Sequence, residues 1–208
     1  TVAIAGWKGL HASVHRFDPG QNIWLQVGNN ITFNLRWYDG PGYGGWYSDP
    51  IGKSIALAGD SKRVIVGRNA DMYSNAAPGF AGIFELDPIT GNWTLMGDVI
   101  EGVQEHYGSA FGYSVAISHD GTRIAVGDPS ATSPNAGTNG DDKGATRVYE
   151  WISGSWRSAI GTMYGSQARS GASISLSGDG TRLVVGEQYY TSNMVTIRDL
   201  PVTLINPN

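Results

Sequence analysis

The chain has 208 residues and a formal net charge of −4, with 40% hydrophobic and 15% charged residues. Its 14 lysines and arginines are scattered, so no basic stripe predicts a nucleic-acid partner. No apolar run approaches the roughly 18 residues of a membrane-spanning helix, and the absence of cysteine excludes disulfides, thiolate nucleophiles and cysteine-bound zinc. The 30 glycines, 7 tryptophans and 10 tyrosines favour short β-strands joined by glycine-rich turns.

A hairpin sequence recurs along the chain at intervals of about 60 residues. Each copy has a short apolar strand, an Asp, an Arg three residues later and a Gly four residues after that. Three complete copies end at Gly67, Gly127 and Gly186, and the N-terminal TVAIAG ends at Gly6 like a truncated fourth. Since a fixed period of this size indicates a repeat architecture, we divide a single domain into units 1–45, 46–105, 106–164 and 165–208.

Each unit continues with a third strand, a tight turn and a fourth strand that opens on a tryptophan: Trp24, Trp93 or Trp156. Four short antiparallel strands per unit predict an all-β fold, a β-propeller with about four blade units. The first unit lacks its opening strand, and the last has only VTIRDLPVTLIN for its final strands. Two arrangements remain open, a compact four-bladed ring and a segment of a longer ring, whose exposed blade faces would need a partner.

The hairpin residues themselves predict structural roles. Asp-Gly is typical of a two-residue turn with positive φ, whereas Asp60-Ser61 lacks the glycine and predicts a different geometry. We expect the repeated Arg to brace either the turn Asp or the neighbouring blade. We also expect the three tryptophans to pack in the core, because they recur at the same place in the first three units.

One unit resembles a known family. Phe111-Gly112 followed by Gly127-Asp128-Pro129 resembles the FG-GAP repeat of integrin-type β-propellers, with Asp128 where the family often has Ala. The resemblance implies an adhesion, ligand-binding or scaffold domain, in many members extracellular. The family's calcium loop does not carry over, because each turn here offers one carboxylate where calcium needs six to eight oxygens. We therefore predict no metal and no cofactor.

Linear motifs of catalysis are missing from the sequence. There is no Gly-x-Ser-x-Gly elbow and no His-Glu-x-x-His. The glycines at 40, 42 and 45 satisfy Gly-x-Gly-x-x-Gly, but Pro41 interrupts the motif and no strand-helix context surrounds it. His11 and His15 would lie about 13 Å apart on one strand, too far to share a metal ion. We predict no catalytic residues and no enzyme activity.

An aromatic segment between the first and second units is the predicted binding site. RWYDGPGYGGWYSDP (36–50) has five rings without counterparts in the other units: Trp37, Tyr38, Tyr43, Trp46 and Tyr47. Rigid amphipathic rings among glycines are typical of a contact surface for protein or sugar. The alternative is that they pack over a blade edge.

These observations predict a non-catalytic binding or scaffold propeller that makes protein–protein or adhesive contacts in an extracellular or surface assembly. Its partner would be another protein or the rest of a larger propeller. A lectin-like, carbohydrate-binding propeller is the alternative, and an enzyme with its site at the propeller mouth is the third possibility. The sequons at Asn30 and Asn92 agree with a secreted glycoprotein.

Overall fold

The structure is a computed structural model that describes residues 1–5, 11–33, 52–69, 79–103, 110–134, 143–166, 169–188 and 193–201. These residues form sixteen β-strands and no helix. All strand pairs within the sheets are antiparallel. The prediction of an all-β fold is confirmed.

The strands form four sheets that follow one another along the chain. Sheet I has the order β1-β2-β3, with β1 (Val2–Ala5), β2 (Ala12–Asp18) and β3 (Ile23–Ile31). Sheet II has the order β4-β5-β6-β7, and β8 also pairs with β6: β4 (Ser54–Leu57), β5 (Arg63–Arg68), β6 (Phe80–Leu86), β7 (Trp93–Leu95) and β8 (Ile100–Glu101).

Sheet III repeats the order of sheet II as β9-β10-β11-β12, with β13 paired to β11: β9 (Ser114–Ile117), β10 (Arg123–Asp128), β11 (Ala145–Ile152), β12 (Ser155–Ser158) and β13 (Met163–Tyr164). Sheet IV has the order β14-β15-β16, with β14 (Ser170–Leu176), β15 (Arg182–Gln188) and β16 (Asn193–Asp199). The strands of each sheet fall within one of the four sequence units, and the division into units stays a prediction.

Each sheet packs on the next through its own apolar cluster. One cluster joins sheets I and II around Val14 and Val66, a second joins sheets II and III around Ile83 and Val126, and a third joins sheets III and IV. Strands β4, β9 and β14 lie side by side, so the first strands of sheets II, III and IV are neighbours in one row. Among the described strands, sheets I and IV make no extensive contact with each other, and no closed ring is seen.

The repeated glycine allows two sheets to approach closely. A Cβ atom at Gly127 would overlap the carbonyl oxygen of Gly171 in sheet IV. The same approach lets the Ser114 hydroxyl donate to the Gly171 carbonyl at 2.7 Å, and the Ser54 hydroxyl donate to the Gly112 carbonyl at 2.8 Å. The glycine of the repeat is therefore required by packing between sheets.

The hairpin turns differ from the prediction in two ways. The Ser118 N–H donates to the Arg123 carbonyl, so the connection is longer than a two-residue turn. Gly121 has a φ of 69°, and Ser61 adopts nearly the same value, 61°. The different geometry predicted for Asp60-Ser61 is wrong, because the turn imposes a left-handed residue here whether or not it is glycine.

The turn carboxylates are occupied by their own hairpins. Asp120 accepts hydrogen bonds from the Ser118 hydroxyl at 2.7 Å and from the Thr122 N–H at 3.0 Å. Burial acts to raise the pKa of Asp120, but these hydrogen bonds outweigh it and the pKa is lowered. Asp179 makes the same contacts in sheet IV. The structural role expected for the repeated Asp is confirmed.

The repeated arginine reaches the next sheet, one of its two predicted roles. Arg63 Nη1 donates to the Asp120 carbonyl at 3.1 Å, and Arg123 Nη1 donates to the Gly180 carbonyl at 2.7 Å. Both acceptors belong to the hairpin turn of the following sheet. Each guanidinium therefore links two sheets at the level of the turns.

The tryptophans join each sheet to the preceding one. Trp93 Nε1 donates to the Val27 carbonyl at 2.8 Å, and Trp156 Nε1 donates to the Met96 carbonyl at 2.9 Å. Trp24, in sheet I, is 53% exposed. The prediction that all three pack in the core is wrong for Trp24, because no described sheet precedes sheet I to cover its ring.

Candidate functional site between sheets III and IV

Charged side chains occupy equivalent places on three consecutive sheets. Arg68, Asp128 and Glu187 each follow the repeated glycine at the end of the second strand of sheets II, III and IV. Asp128 and Glu187 are buried. Since an ionised group is rarely buried without a polar partner, the surroundings of these two carboxylates show what each is used for.

The carboxylate of Asp128 forms an ion pair within sheet III. Arg147 Nη1 lies 3.4 Å from Asp128 Oδ2, and the Arg147 guanidinium lies 5.5 Å from the centroid of the Phe111 ring. The side chains of both ion-pair partners are almost fully buried. A carboxylate that is neutralised in this way is held in place rather than available as a base.

The carboxylate of Glu187 has a different environment, formed by hydroxyl and amide donors. Its Oε2 atom accepts hydrogen bonds from the Ser166 N–H at 3.2 Å and from the Ser166 hydroxyl at 3.1 Å. Its Oε1 atom accepts from the Thr196 hydroxyl at 3.3 Å. These donors orient the carboxylate.

Glu187 lies on the wall of a cleft between sheets III and IV. The cleft is partly open to solvent, and its cavity volume is about 10 Å³, room for about one water molecule. Its lining combines hydroxyl groups, one acid, one exposed guanidinium and two apolar side chains: Thr146, Met163, Tyr164, Ser170, Val185, Glu187, Thr196 and Arg198. A polar cavity of this size suits one water molecule, or one polar group of a ligand that lies over the open side.

One polar atom in the cleft lacks a partner. The Thr146 hydroxyl is buried and has no hydrogen-bond partner in the described part of the chain. A buried hydroxyl without a hydrogen bond costs about 1–3 kcal/mol, so native proteins rarely keep one without a reason. A ligand hydroxyl or carbonyl bound in the cleft would satisfy this group.

The predicted aromatic site lies outside the described residues: Trp37, Tyr38, Tyr43, Trp46 and Tyr47. Its role in binding stays a prediction. The sequons are described, and Asn30 and Asn92 are both exposed, Asn30 within β3. Exposure makes both side chains accessible, but glycosylation itself stays a prediction.

Sequence reasoning missed Glu187. The available signal was the charged residue that follows the repeated glycine in three units, as Arg68, Asp128 or Glu187. In the described ranges no group of three or more His, Asp or Glu side chains is placed to hold a metal ion. The same residues contain no helical segment with the length and hydropathy needed to span a bilayer.

The comparisons with known proteins identify a similar fold but no protein family. No protein-family model matches the chain, and no curated protein matches it. A solved structure from Bacteroides uniformis, a proposed 6-phosphogluconolactonase, matches 96% of this chain over 50% of its own length, with a TM-score of 0.55 and 14% identity. Kuenenia stuttgartiensis hydrazine synthase matches 96% of this chain over 55% of its own, with a TM-score of 0.52 and 9% identity. The chain thus spans about half the length of the structures it matches.

These matches overturn two predictions. A non-catalytic scaffold and the absence of enzyme activity were predicted from missing linear motifs and from a family of adhesion domains. The first matched fold carries an enzyme assignment instead, so both predictions are wrong. The physical reason is that propeller-type folds assemble their sites from side chains on separate sheets, which a linear motif search does not detect.

Proposed function

We propose that this chain provides the substrate cleft of a hydrolase that acts on small, polar, ring-shaped substrates of the sugar-lactone type. The observation that carries the proposal is the oriented, buried carboxylate of Glu187 on the wall of a polar cleft. The fold similarity to a proposed 6-phosphogluconolactonase supports the substrate class. Binding of a glycan or of a protein partner stays a prediction.

The cleft offers groups for each step of lactone hydrolysis. Glu187 takes a proton from the attacking water, which adds to the ring carbonyl carbon. The Arg198 guanidinium and the Tyr164 hydroxyl stabilise the negative charge that develops on the carbonyl oxygen. The ring C–O bond then breaks, and the protonated Glu187 returns its proton to the leaving oxygen. The product is the open-chain hydroxy acid.

The fold around the cleft is proposed to be part of a β-propeller, with each sheet as one blade. The apolar clusters between successive sheets and the side-by-side packing of β4, β9 and β14 support this interpretation. The FG-GAP resemblance and an extracellular or surface location stay predictions. Neither is needed for the chemistry of the cleft.

The test is hydrolysis of 6-phosphogluconolactone and glucono-δ-lactone, followed by base consumption at constant pH and corrected for spontaneous hydrolysis. We expect Glu187→Gln to lower the enzymatic rate by about 10²–10⁴-fold, the usual contribution of a general base. The matched control is Glu101→Gln, the same change at an exposed position in sheet II. Equal rates in the two variants, or no rate above the background for the unchanged chain, would contradict the proposal.

A further inference from the structure

Successive sheets are joined by one repeated set of polar contacts. From sheet II to sheet III, the Ser54 hydroxyl donates to the Gly112 carbonyl and Arg63 Nη1 donates to the Asp120 carbonyl. The turn backbones are also joined, because the Asp60 N–H donates to the next sheet at 3.1 Å. Each sheet thus directs a serine hydroxyl, an arginine and a turn N–H towards the sheet that follows.

The same set joins sheet III to sheet IV. The Ser114 hydroxyl donates to the Gly171 carbonyl, and Arg123 Nη1 donates to the Gly180 carbonyl. The backbone link recurs, with the His119 N–H donating to a sheet IV turn carbonyl at 2.7 Å. The serine and arginine donors are the same at both interfaces, and the backbone donor differs by one residue of the repeat, so the serine and arginine contacts define a contact rule for this repeat.

Sheet IV has the same donors on its outer face. Ser173 pairs with Gly186 as Ser114 pairs with Gly127, and the Ser173 hydroxyl is exposed without a hydrogen bond among the described residues. Arg182 is exposed as well and bonds to Asp199 of its own sheet. The two side chains therefore carry the donors of the contact rule and lack its acceptors.

The apolar part of the interface is also uncovered on sheet IV. Val195 is 69% exposed and Ile197 is 63% exposed. Their counterparts by register in sheet III are Thr146 and Val148, both of which are buried. Val148 belongs to the cluster that joins sheets III and IV, so the exposed pair corresponds to residues that an adjacent sheet covers.

We propose that the outer face of sheet IV docks a further antiparallel sheet of this same repeat. The docked sheet presents a glycine carbonyl to Ser173 and the carbonyl of a hairpin turn to Arg182, and it covers Val195 and Ile197. This occupant continues an interface that the chain already forms twice.

A second copy of the chain does not fit this face in the same way. Its glycine carbonyls at Gly112 and Gly171 already accept hydrogen bonds within the chain. The remaining equivalent, Gly52, packs against Ala5 of sheet I. The docked sheet must therefore carry a turn that is not yet covered by another sheet.

An extended chain tests the proposal. Asp199 pairs with Arg182 as Glu150 pairs with Arg123, so residues 1–199 followed by a second copy of residues 151–199 add one repeat in register. The copied segment supplies a fourth strand for sheet IV and then a further sheet. We expect the extended chain to unfold at a higher temperature than the unextended chain.

Single substitutions in both chains show whether the contact rule is used. We expect Ser173→Ala to lower the melting temperature of the extended chain by about 2–4 °C, the shift for about one hydrogen bond in a domain of this size. In the unextended chain Ser173→Ala leaves the melting temperature unchanged. The control Ser114→Ala lowers it in both chains, since its hydrogen bond to Gly171 exists in both.

Three results would overturn the proposal. One is an extended chain that melts no higher than the unextended chain, and another is an equal effect of Ser173→Ala in the two chains. The third comes from sedimentation equilibrium of the unextended chain, where we expect a monomer. A dimer that Ile197→Lys dissociates would assign this face to a second copy instead.

Discussion

The three repeated arginines provide a stability test with its own internal controls. Arg63, Arg123 and Arg182 occupy the same register position in consecutive sheets, and each pairs with an acid on the third strand of its sheet. Their side chains are 19%, 9% and 63% exposed, respectively. Because residue type and position in the repeat are shared, differences between the three alanine variants report the surroundings alone.

The magnitude expected for Arg123 follows from what its removal leaves behind. Its guanidinium bonds to Glu150, to the Gly180 carbonyl and to the Pro201 carbonyl, both carbonyls at 2.7 Å. Arg123→Ala leaves the buried Glu150 carboxylate without its cation, which costs about 3–5 kcal/mol. Arg63→Ala loses a partly exposed pair and one turn contact, for which about 1–2 kcal/mol is expected. Arg182→Ala removes an exposed pair, and we expect no measurable change.

Urea denaturation of the three variants, followed by tryptophan fluorescence, gives the free energies of unfolding. If Arg123→Ala does not fold, the double variant Arg123→Met with Glu150→Met serves in its place, since it leaves no unpaired buried charge and should recover most of the loss. Equal losses for Arg123→Ala and Arg182→Ala would refute the reasoning, because the contacts with the next sheet would then contribute nothing.

Other consequences of the structure are testable on the same protein. The pKa of Asp179 is lowered to about 2, first by the Ser177 hydroxyl and then by the Thr181 N–H. Because an unfolded Asp titrates near 3.9, the contribution of Asp179 to stability is complete above about pH 5 and is lost as the pH falls towards 2. Asp179→Asn should therefore reduce the acid dependence of the urea midpoint. An unchanged pH profile would contradict this. Trp93→Ala should destabilise the fold by about 3–5 kcal/mol, as for a buried tryptophan, whereas Trp24→Ala, at an exposed ring, should cost far less; similar losses in thermal unfolding would show that Trp24 is covered. EDTA should leave the melting temperature unchanged, because the turn carboxylates already accept hydrogen bonds from their own hairpins, and a fall of more than a few degrees would reveal a metal site.

The parts of the fold that were predictable from the sequence are those that recur. The hairpin, the third strand and a fourth strand with the tryptophan at or next to its start all appear in the structure, because each uses local signals such as strand alternation and turn residues. β7 begins at Trp93, whereas β3 and β12 begin one residue before Trp24 and Trp156. The truncated first copy shows the limit of this reasoning. Ala5 pairs with Ala12 as Gly67 pairs with Ala81, so Ala5 is the structural equivalent of the repeated glycine. Aligning the N-terminal strand on Gly6 therefore placed it one residue out of register.

Burial was less predictable, because it depends on the neighbouring sheet and not on the sequence of the strand. Trp24 and Trp93 have equivalent sequence positions, yet Trp93 is buried and Trp24 is half exposed. Ile83 and Ile197 differ in the same way, since Ile83 is covered by sheet III. The sequence of one repeat therefore predicts a strand and its two faces, and it does not tell which face another sheet covers.

The candidate site follows from what the repeat leaves variable. The serine, arginine, aspartate and glycine of the hairpins in sheets II and III are accounted for by contacts within and between sheets, so the fold explains their recurrence. The residue after the glycine is Arg68, Asp128 or Glu187 in otherwise equivalent places, and no common packing role requires a charge there. Asp128 is neutralised by Arg147, whereas Glu187 faces the cleft and accepts hydrogen bonds from Ser166 and Thr196. The fold does not constrain the position of Glu187, which places a buried carboxylate beside an unpartnered hydroxyl. Chemistry in this protein is therefore best sought there.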